Sequence, residues 1–141
     1  MRRLMIAGAA LIAVAGCASK RSAEEAVEQF HQMVDSGRYQ EIYRNSDPEL
    51  KRITSEEQMT ALLAQVHDRM GTVRSSRQSS FNINANNGVS RVVLTYNTEF
   101  TSGRATENFN YRVEGGQARL AGYHINSNDL AGAPPPAAGD K

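Results

Sequence analysis

Glu107, His124 and Arg77 are the side chains of this sequence whose types and spacing could do chemistry together. A carboxylate touching an imidazole can hold and move a proton, and a guanidinium beside them can fix a ligand's carboxylate through paired hydrogen bonds. Whether they meet depends on strand register. The pairs Asn87-Gly88, Ser102-Gly103 and Gly115-Gly116 are turn signals, and if each is the centre of a two-residue hairpin, paired residues have numbers of constant sum. That rule sets Arg77, Thr98, Glu107 and His124 in one row across four strands, on the core-facing side. Neighbouring strands lie about 4.8 Å apart, so Glu107 would touch His124, and Arg77 would reach Glu107 over Thr98. The row has two readings. In one it is a pocket in which Glu107 and His124 act as acid and base, or Arg77 holds an anionic ligand. In the other it is a partly buried ion-pair network that closes the wide end of the fold for structure alone.

Tyr96 and Tyr111 fall on the same face of the sheet. Together with Tyr39 and Tyr43 they read either as the lining of a ligand cavity or as core aromatics with hydroxyls at the rim. The candidate ligand-binding set is therefore Arg77, Tyr96, Glu107, Tyr111 and His124. His31 follows Phe30 and His67 follows Val66, and neither has a second histidine at the spacing that presents two ligands on one helix face. Both are expected at helix edges, with no metal centre. Nucleophilic catalysis has no candidate: there is one thiol, Cys17, no Gly-x-Ser-x-Gly elbow and no phosphate-cradling glycine loop. No cofactor is implied.

The elements that must position these residues are legible as periodicities. From Thr72 onward apolar residues recur every second position, which predicts four antiparallel strands. The same register sets Ile83, Val92, Val113 and Ala118 in one inner row, Phe81, Leu94, Tyr111 and Leu120 in the next, and Ser79, Tyr96, Phe109 and Gly122 in a third. The outer face is mostly wet apart from a patch of Val93, Tyr123 and Ile125. Before Thr72 the period is helical. Ser22 with Glu25 reads as a capping box opening a helix with its stripe at Ala23, Ala26, Val27, Phe30 and Val34, ended by Ser36-Gly37. Tyr39, Ile42 and Tyr43 mark a shorter helix, and Asp47-Pro48 opens one more turn to Ile53. Thr54 with Glu57 reads as a second capping box before the stripe Met59, Leu62, Leu63, Val66 and Met70. The expected class is α+β, with N-terminal helices packed on a curved four-stranded antiparallel meander.

The chain has 141 residues, with 16 Lys plus Arg against 15 Asp plus Glu. That is one small domain with no basic stripe for nucleic acid. Arg2 and Arg3 precede an apolar run from Leu4 to Val14, the charged-then-apolar order of a secretory signal and shorter than the roughly 20 residues that span a bilayer. The small residues directly before Cys17 resemble the bacterial lipoprotein lipobox. The resemblance implies diacylglyceryl transfer to the Cys17 thiol, cleavage after Gly16 and acylation of the new amino group. Ala18, in place of the Asp that often retains lipoproteins in the inner membrane, implies the outer membrane, facing the periplasm. The expected organisation is a signal peptide over 1–16, lipidated cysteine and polar tether over 17–21, a domain over 22–127 and a disordered Ala/Gly/Pro tail over 128–141.

Three helices before a curved meander resemble the nuclear-transport-factor-2-like (cystatin-like) cone, and within it a group of exported bacterial proteins carrying a domain of unknown function. The resemblance rests on Val34-Asp35-Ser36-Gly37-Arg38-Tyr39, Met70-Gly71 leading to Ser76-Arg77, Thr106-Glu107 and Gly122-Tyr123. It implies a pocket between helices and sheet and no particular activity, because that fold hosts isomerases, transport factors and bare scaffolds alike. The resulting expectation is a non-enzymatic lipoprotein module, tethered to the membrane through Cys17, that binds an envelope protein or a small apolar or acidic ligand as monomer or homodimer. Two alternatives stand beside it: an isomerase- or hydrolase-like enzyme using Glu107 and His124, and a homodimeric assembly module using the outer sheet face.

Overall fold

The computed structural model describes residues 11–130. Helices α1 (Leu11–Asp35), α2 (Tyr39–Arg44), α3 (Pro48–Ile53) and α4 (Glu56–Met70) precede strands β1 (Val73–Asn86), β2 (Val89–Phe100), β3 (Gly103–Glu114) and β4 (Gln117–Asn126). The strands form one antiparallel sheet in the order β1-β2-β3-β4, so the expected α+β arrangement is the one that forms. Most of the expected signal peptide and most of the expected disordered tail lie outside the described residues.

Ala23, Val27, Phe30 and Val34 turn one stripe of α1 onto the sheet, and all four are buried. The helix stops at Gly37, whose positive φ of 75° lets its own N–H reach Val34 O and the next N–H, of Arg38, reach Met33 O, a Schellman closure. Its start differs from expectation. α1 runs unbroken from Leu11, because the apolar segment before Ser22 is rich in good helix formers and only Gly16 interrupts it. Ser22 therefore sits inside the helix and caps nothing, and residues 17–21, expected as a tether, are helical. At α3 the expected cap forms: Asp47 Oδ1 accepts from Glu49 N at 2.9 Å, with Pro48 at the first position.

The cap of α4 is displaced by one residue. Ser55, not Thr54, accepts from the N3 amide, that of Gln58, at 3.1 Å, while Gln58 Oε1 accepts from Ser55 N at 3.0 Å. Thr54 is already committed as the C-cap of α3, where its N–H donates to Leu50 O at 2.9 Å. Ser55→Ala is accordingly expected to lower stability by about 1 kcal/mol and Thr54→Ala by less than half of that. Equal shifts in urea midpoint for the two variants would contradict the assignment.

Asn87-Gly88 and Gly115-Gly116 form the expected turns, all four residues at positive φ as the favoured two-residue hairpins require. The middle turn does not fall at Ser102-Gly103. Phe100 pairs with Gly103, so Thr101-Ser102 makes the turn, held by Thr101 N–H on Thr72 O at 2.9 Å and Ser102 N–H on Met70 O at 2.8 Å. Gly103 serves close approach instead of turn conformation: a Cβ there would lie 2.7 Å from Asp129 Oδ2 and 3.0 Å from Met70 Cε. The one-residue move slides β3 by two positions against β2, which preserves every face and changes every partner, so that Tyr96 lies opposite Glu107 and Thr98 opposite Ala105.

Three irregularities change faces as well, one of them at Arg74 near the start of β1. In β1 the pairing skips Ser79, and in β4 it skips Ala121. An extra residue on one strand reverses the alternation beyond it and bends the sheet. On the near side of each bulge the expected pairs Ile83–Val92, Phe81–Leu94, Val113–Ala118 and Tyr111–Leu120 hold. Beyond them Tyr123 and Ile125 point inward, into the two apolar clusters, so the expected outer patch with Val93 does not form. Phe81 keeps its pairing but is 56% exposed, because it lies on the edge strand, where Lys20 of α1 reaches over its ring. The core packs α1, α2 and α4 against β2, β3 and β4, with Leu63, Leu94 and Phe109 fully enclosed.

Candidate functional site

Glu107 is the centre of the polar interior. It lies on the core face of β3 and is 1% exposed, surrounded by three elements that each give it one hydrogen bond. From α1, His31 Nε2 meets Oε1 at 2.7 Å; from β2, Thr98 Oγ1 donates to Oε1 at 2.6 Å; from β4, Tyr123 donates its hydroxyl to Oε2 at 2.6 Å. Ser76 of β1 lies 2.8 Å from Thr98 Oγ1. Because the Thr98 proton is used on Glu107, Ser76 is the donor in that contact. One carboxylate thus ties four strands and the first helix together.

The sequence fixes each partner by its element. His31 stands in the middle of the apolar stripe of α1, Thr98 continues the inward alternation of β2, and the Ala121 bulge swings Tyr123 inward. Burial pushes the Glu107 carboxyl up. The hydrogen bond and charge of His31, then the hydrogen bonds from Thr98 and Tyr123, outweigh that and hold it below its ordinary value. The ionised carboxylate accepts only, so His31 Nε2 carries a proton. Around it the phenols move the other way. Tyr123 is raised well above its usual value by burial, the Glu107 charge and the hydrogen bond to it, Tyr111 is raised by burial and by Glu107, and Tyr96 is pushed up to about 12 by burial, Glu24 and Glu28.

The expected row does not survive. Arg77 lies opposite Asn97 and is exposed, the Ser79 bulge having turned it away from the core while Ser76 takes the place facing Thr98. His124 lies opposite Asn108 and is exposed on the outer face, displaced by the bulge at Ala121. Glu107 therefore has an imidazole partner, but it is His31, which was expected at a helix edge and is 8% exposed. The signal was present: Val27, Phe30, His31 and Val34 occupy positions i, i+3, i+4 and i+7, which places His31 inside the stripe. His67 is partly buried, and its Nδ1 has no hydrogen-bond partner among the described residues.

The surviving candidates line different concavities. A cleft of about 540 Å³ between α1, α2 and the β3–β4 hairpin is lined by Phe30, Met33, Ile42, Tyr111 and Leu120 together with Glu25, Arg44 and Arg119. Tyr96 and His31 line a second cleft of about 410 Å³ between α1 and β1, together with Glu24, Glu28 and Asp35. Arg77 borders a third, of about 750 Å³, with Asn97, Arg104 and Asn126. Glu107 lines none of these three. The Glu107–His31 pair can store a proton at the helix–sheet junction, where the carboxylate is buried and both of its oxygens accept hydrogen bonds. Among the described residues no group of three His, Cys, Asp or Glu side chains is placed to hold a metal ion.

Comparison with curated proteins gives no match to this chain. A family model described as "Protein of unknown function (DUF4019)" matches residues 26–123, a span that includes His31, Thr98, Glu107 and Tyr123 and with them the whole buried cluster. By that match, over most of its length, the chain belongs to the DUF4019 family.

Proposed function

We propose that the protein is a cell-envelope lipoprotein of the nuclear-transport-factor-2-like kind, held at the outer membrane through acylated Cys17, whose domain binds a small ligand with an apolar body and an acidic head without transforming it. The observation that carries the binding reading is the 540 Å³ cleft, whose lining combines the apolar Phe30, Met33, Ile42 and Leu120 with Arg44 and Arg119 beside Glu25. Concave, largely preformed sites with a few convergent polar groups are where small ligands bind, and a guanidinium is the group best matched to a carboxylate or phosphate. Exposure of Cys17 is consistent with its modification. No helix of the described residues is long and apolar enough to cross a membrane. The non-enzymatic reading is supported by the state of Glu107, which is buried and already accepts from three donors.

Native protein extracted from membranes in mild detergent tests both halves. Mass spectrometry after denaturation is expected to release a small acidic amphiphile at near-stoichiometric level, reduced at least tenfold in the Arg44→Glu/Arg119→Glu variant. The N-terminal peptide of the same sample is expected to begin at Cys17 and to carry acyl chains there. Wild-type protein that releases no small molecule sinks the binding reading, and protein that begins at Met1 with an unmodified Cys17 thiol sinks the anchor.

A further inference from the structure

We propose that the domain stands on the bilayer by one end: the end of the sheet carrying the Asn87-Gly88 and Gly115-Gly116 turns faces the lipid headgroups. This rests on the reading of Cys17 as the acylated residue. A lipid on a flexible tether would leave orientation free, but the residues directly after Cys17 continue as α1 and are fastened to the body. Ser19 Oγ donates to Ser90 Oγ at 3.1 Å, and Lys20 Nζ sits 4.7 Å over the Phe81 ring while also pairing with Glu24. Two helical residues span about 3 Å, so the acyl chains leave the protein within a few ångströms of the level of Ser90, three residues from Asn87.

An antiparallel meander places its first and third turns at one end and its second at the other. The second turn, Thr101-Ser102, is hydrogen-bonded to the far end of α4. The 12 residues of β2 separate the two ends by about 40 Å. At the near end no charged residue lies between Arg77 and Arg91, Glu114 beside the Gly115-Gly116 turn is paired with Arg112 at 3.1 Å, and Lys20 and Arg21 beside the anchor are attracted to an anionic leaflet. The 540 Å³ cleft has Ser22, Gly116 and Arg119 of the near end in its lining.

The chain contains no tryptophan, which makes single introduced tryptophans clean reporters. Asn86 at the near end and Ser102 at the far end are both exposed and accept the substitution on the surface. Lipidated Asn86→Trp and Ser102→Trp proteins would be reconstituted into phosphatidylethanolamine/phosphatidylglycerol vesicles whose acyl chains carry bromine near the headgroup. Vesicle flotation and tryptophan emission are then read on the same sample. The expected result is that both proteins float, that the Asn86→Trp emission shifts to the blue and falls at least twofold, and that the Ser102→Trp emission is unchanged. Floating proteins quenched equally, or more at Ser102→Trp, overturn the orientation and leave the anchor standing. Proteins that do not float overturn the anchor and the orientation with it.

Discussion

Glu107→Ala is expected to destabilise the protein by about 3–5 kcal/mol, since removing one member of a buried charged network leaves its partners desolvated and unpaired. Here the abandoned groups are the His31 imidazole and the hydroxyls of Thr98 and Tyr123, all of which lose their acceptor at once. Urea midpoints at neutral pH measure the loss, and equal midpoints for wild type and variant would refute it. A second arm isolates the charge. The folded Glu107 carboxyl titrates below the ordinary value of 4.5, so the unfolded chain takes up this proton first as pH falls. Its stabilising contribution is complete above about pH 4.5 and is lost as pH falls below that through the lower folded value. The stability difference between wild type and Glu107→Gln should therefore be constant from neutral pH down to about 4.5 and shrink beneath it. A difference that grows on acidification would show that burial, and not the hydrogen bonds, sets the titration.

Phe109→Ala is expected to cost a comparable amount, about 3–5 kcal/mol. Phe109 is fully buried two residues after Glu107, and its ring meets Phe30 at 5.1 Å, Tyr123 at 5.2 Å, His31 at 5.8 Å and Tyr96 at 5.9 Å between centroids. Several of these contacts are edge-to-face, the arrangement that aromatic quadrupoles favour. Truncation opens a cavity between α1 and the sheet that a rigid strand cannot close. Because His31 and Tyr123 pack on this ring and also hold Glu107, the two sites are not independent. Phe109→Ala and Glu107→Ala combined are expected to cost less than the sum of the single variants, by about 0.5–3 kcal/mol. Strict additivity in denaturant titrations would mean that the aromatic packing does not position the hydrogen-bonding groups.

The bulges explain which part of the site could be read in advance. Thr98 and Glu107 were expected to face inward and do, because the parity of β2 and β3 is not interrupted between them. Arg77 and His124 were expected beside them and are not, because each lies past a skipped residue. Nothing in the local sequence at Ser79 marks the interruption, whereas Gly122, directly after Ala121, is the kind of strand glycine that often accompanies a bulge. The bulge at Ala121 allows the Tyr123 hydroxyl to reach Glu107, a benefit that exists only once strand and carboxylate have been brought together.

What the sequence determined by itself is whatever rests on short-range periodicity and turn chemistry. Those are the helical stripes from Ala23 to Met70, the two glycine turns with positive φ, and the alternation of the strands, since each follows from backbone geometry within a few residues. Tertiary structure alone decided the absolute pairing. The middle turn is placed by hydrogen bonds to α4, the α4 cap by the demand α3 makes on Thr54, and the partner of Glu107 by which helix covers the sheet. A one-residue choice of that sort changes no local preference, and it is settled by distant groups competing for the same hydrogen bonds and the same buried volume.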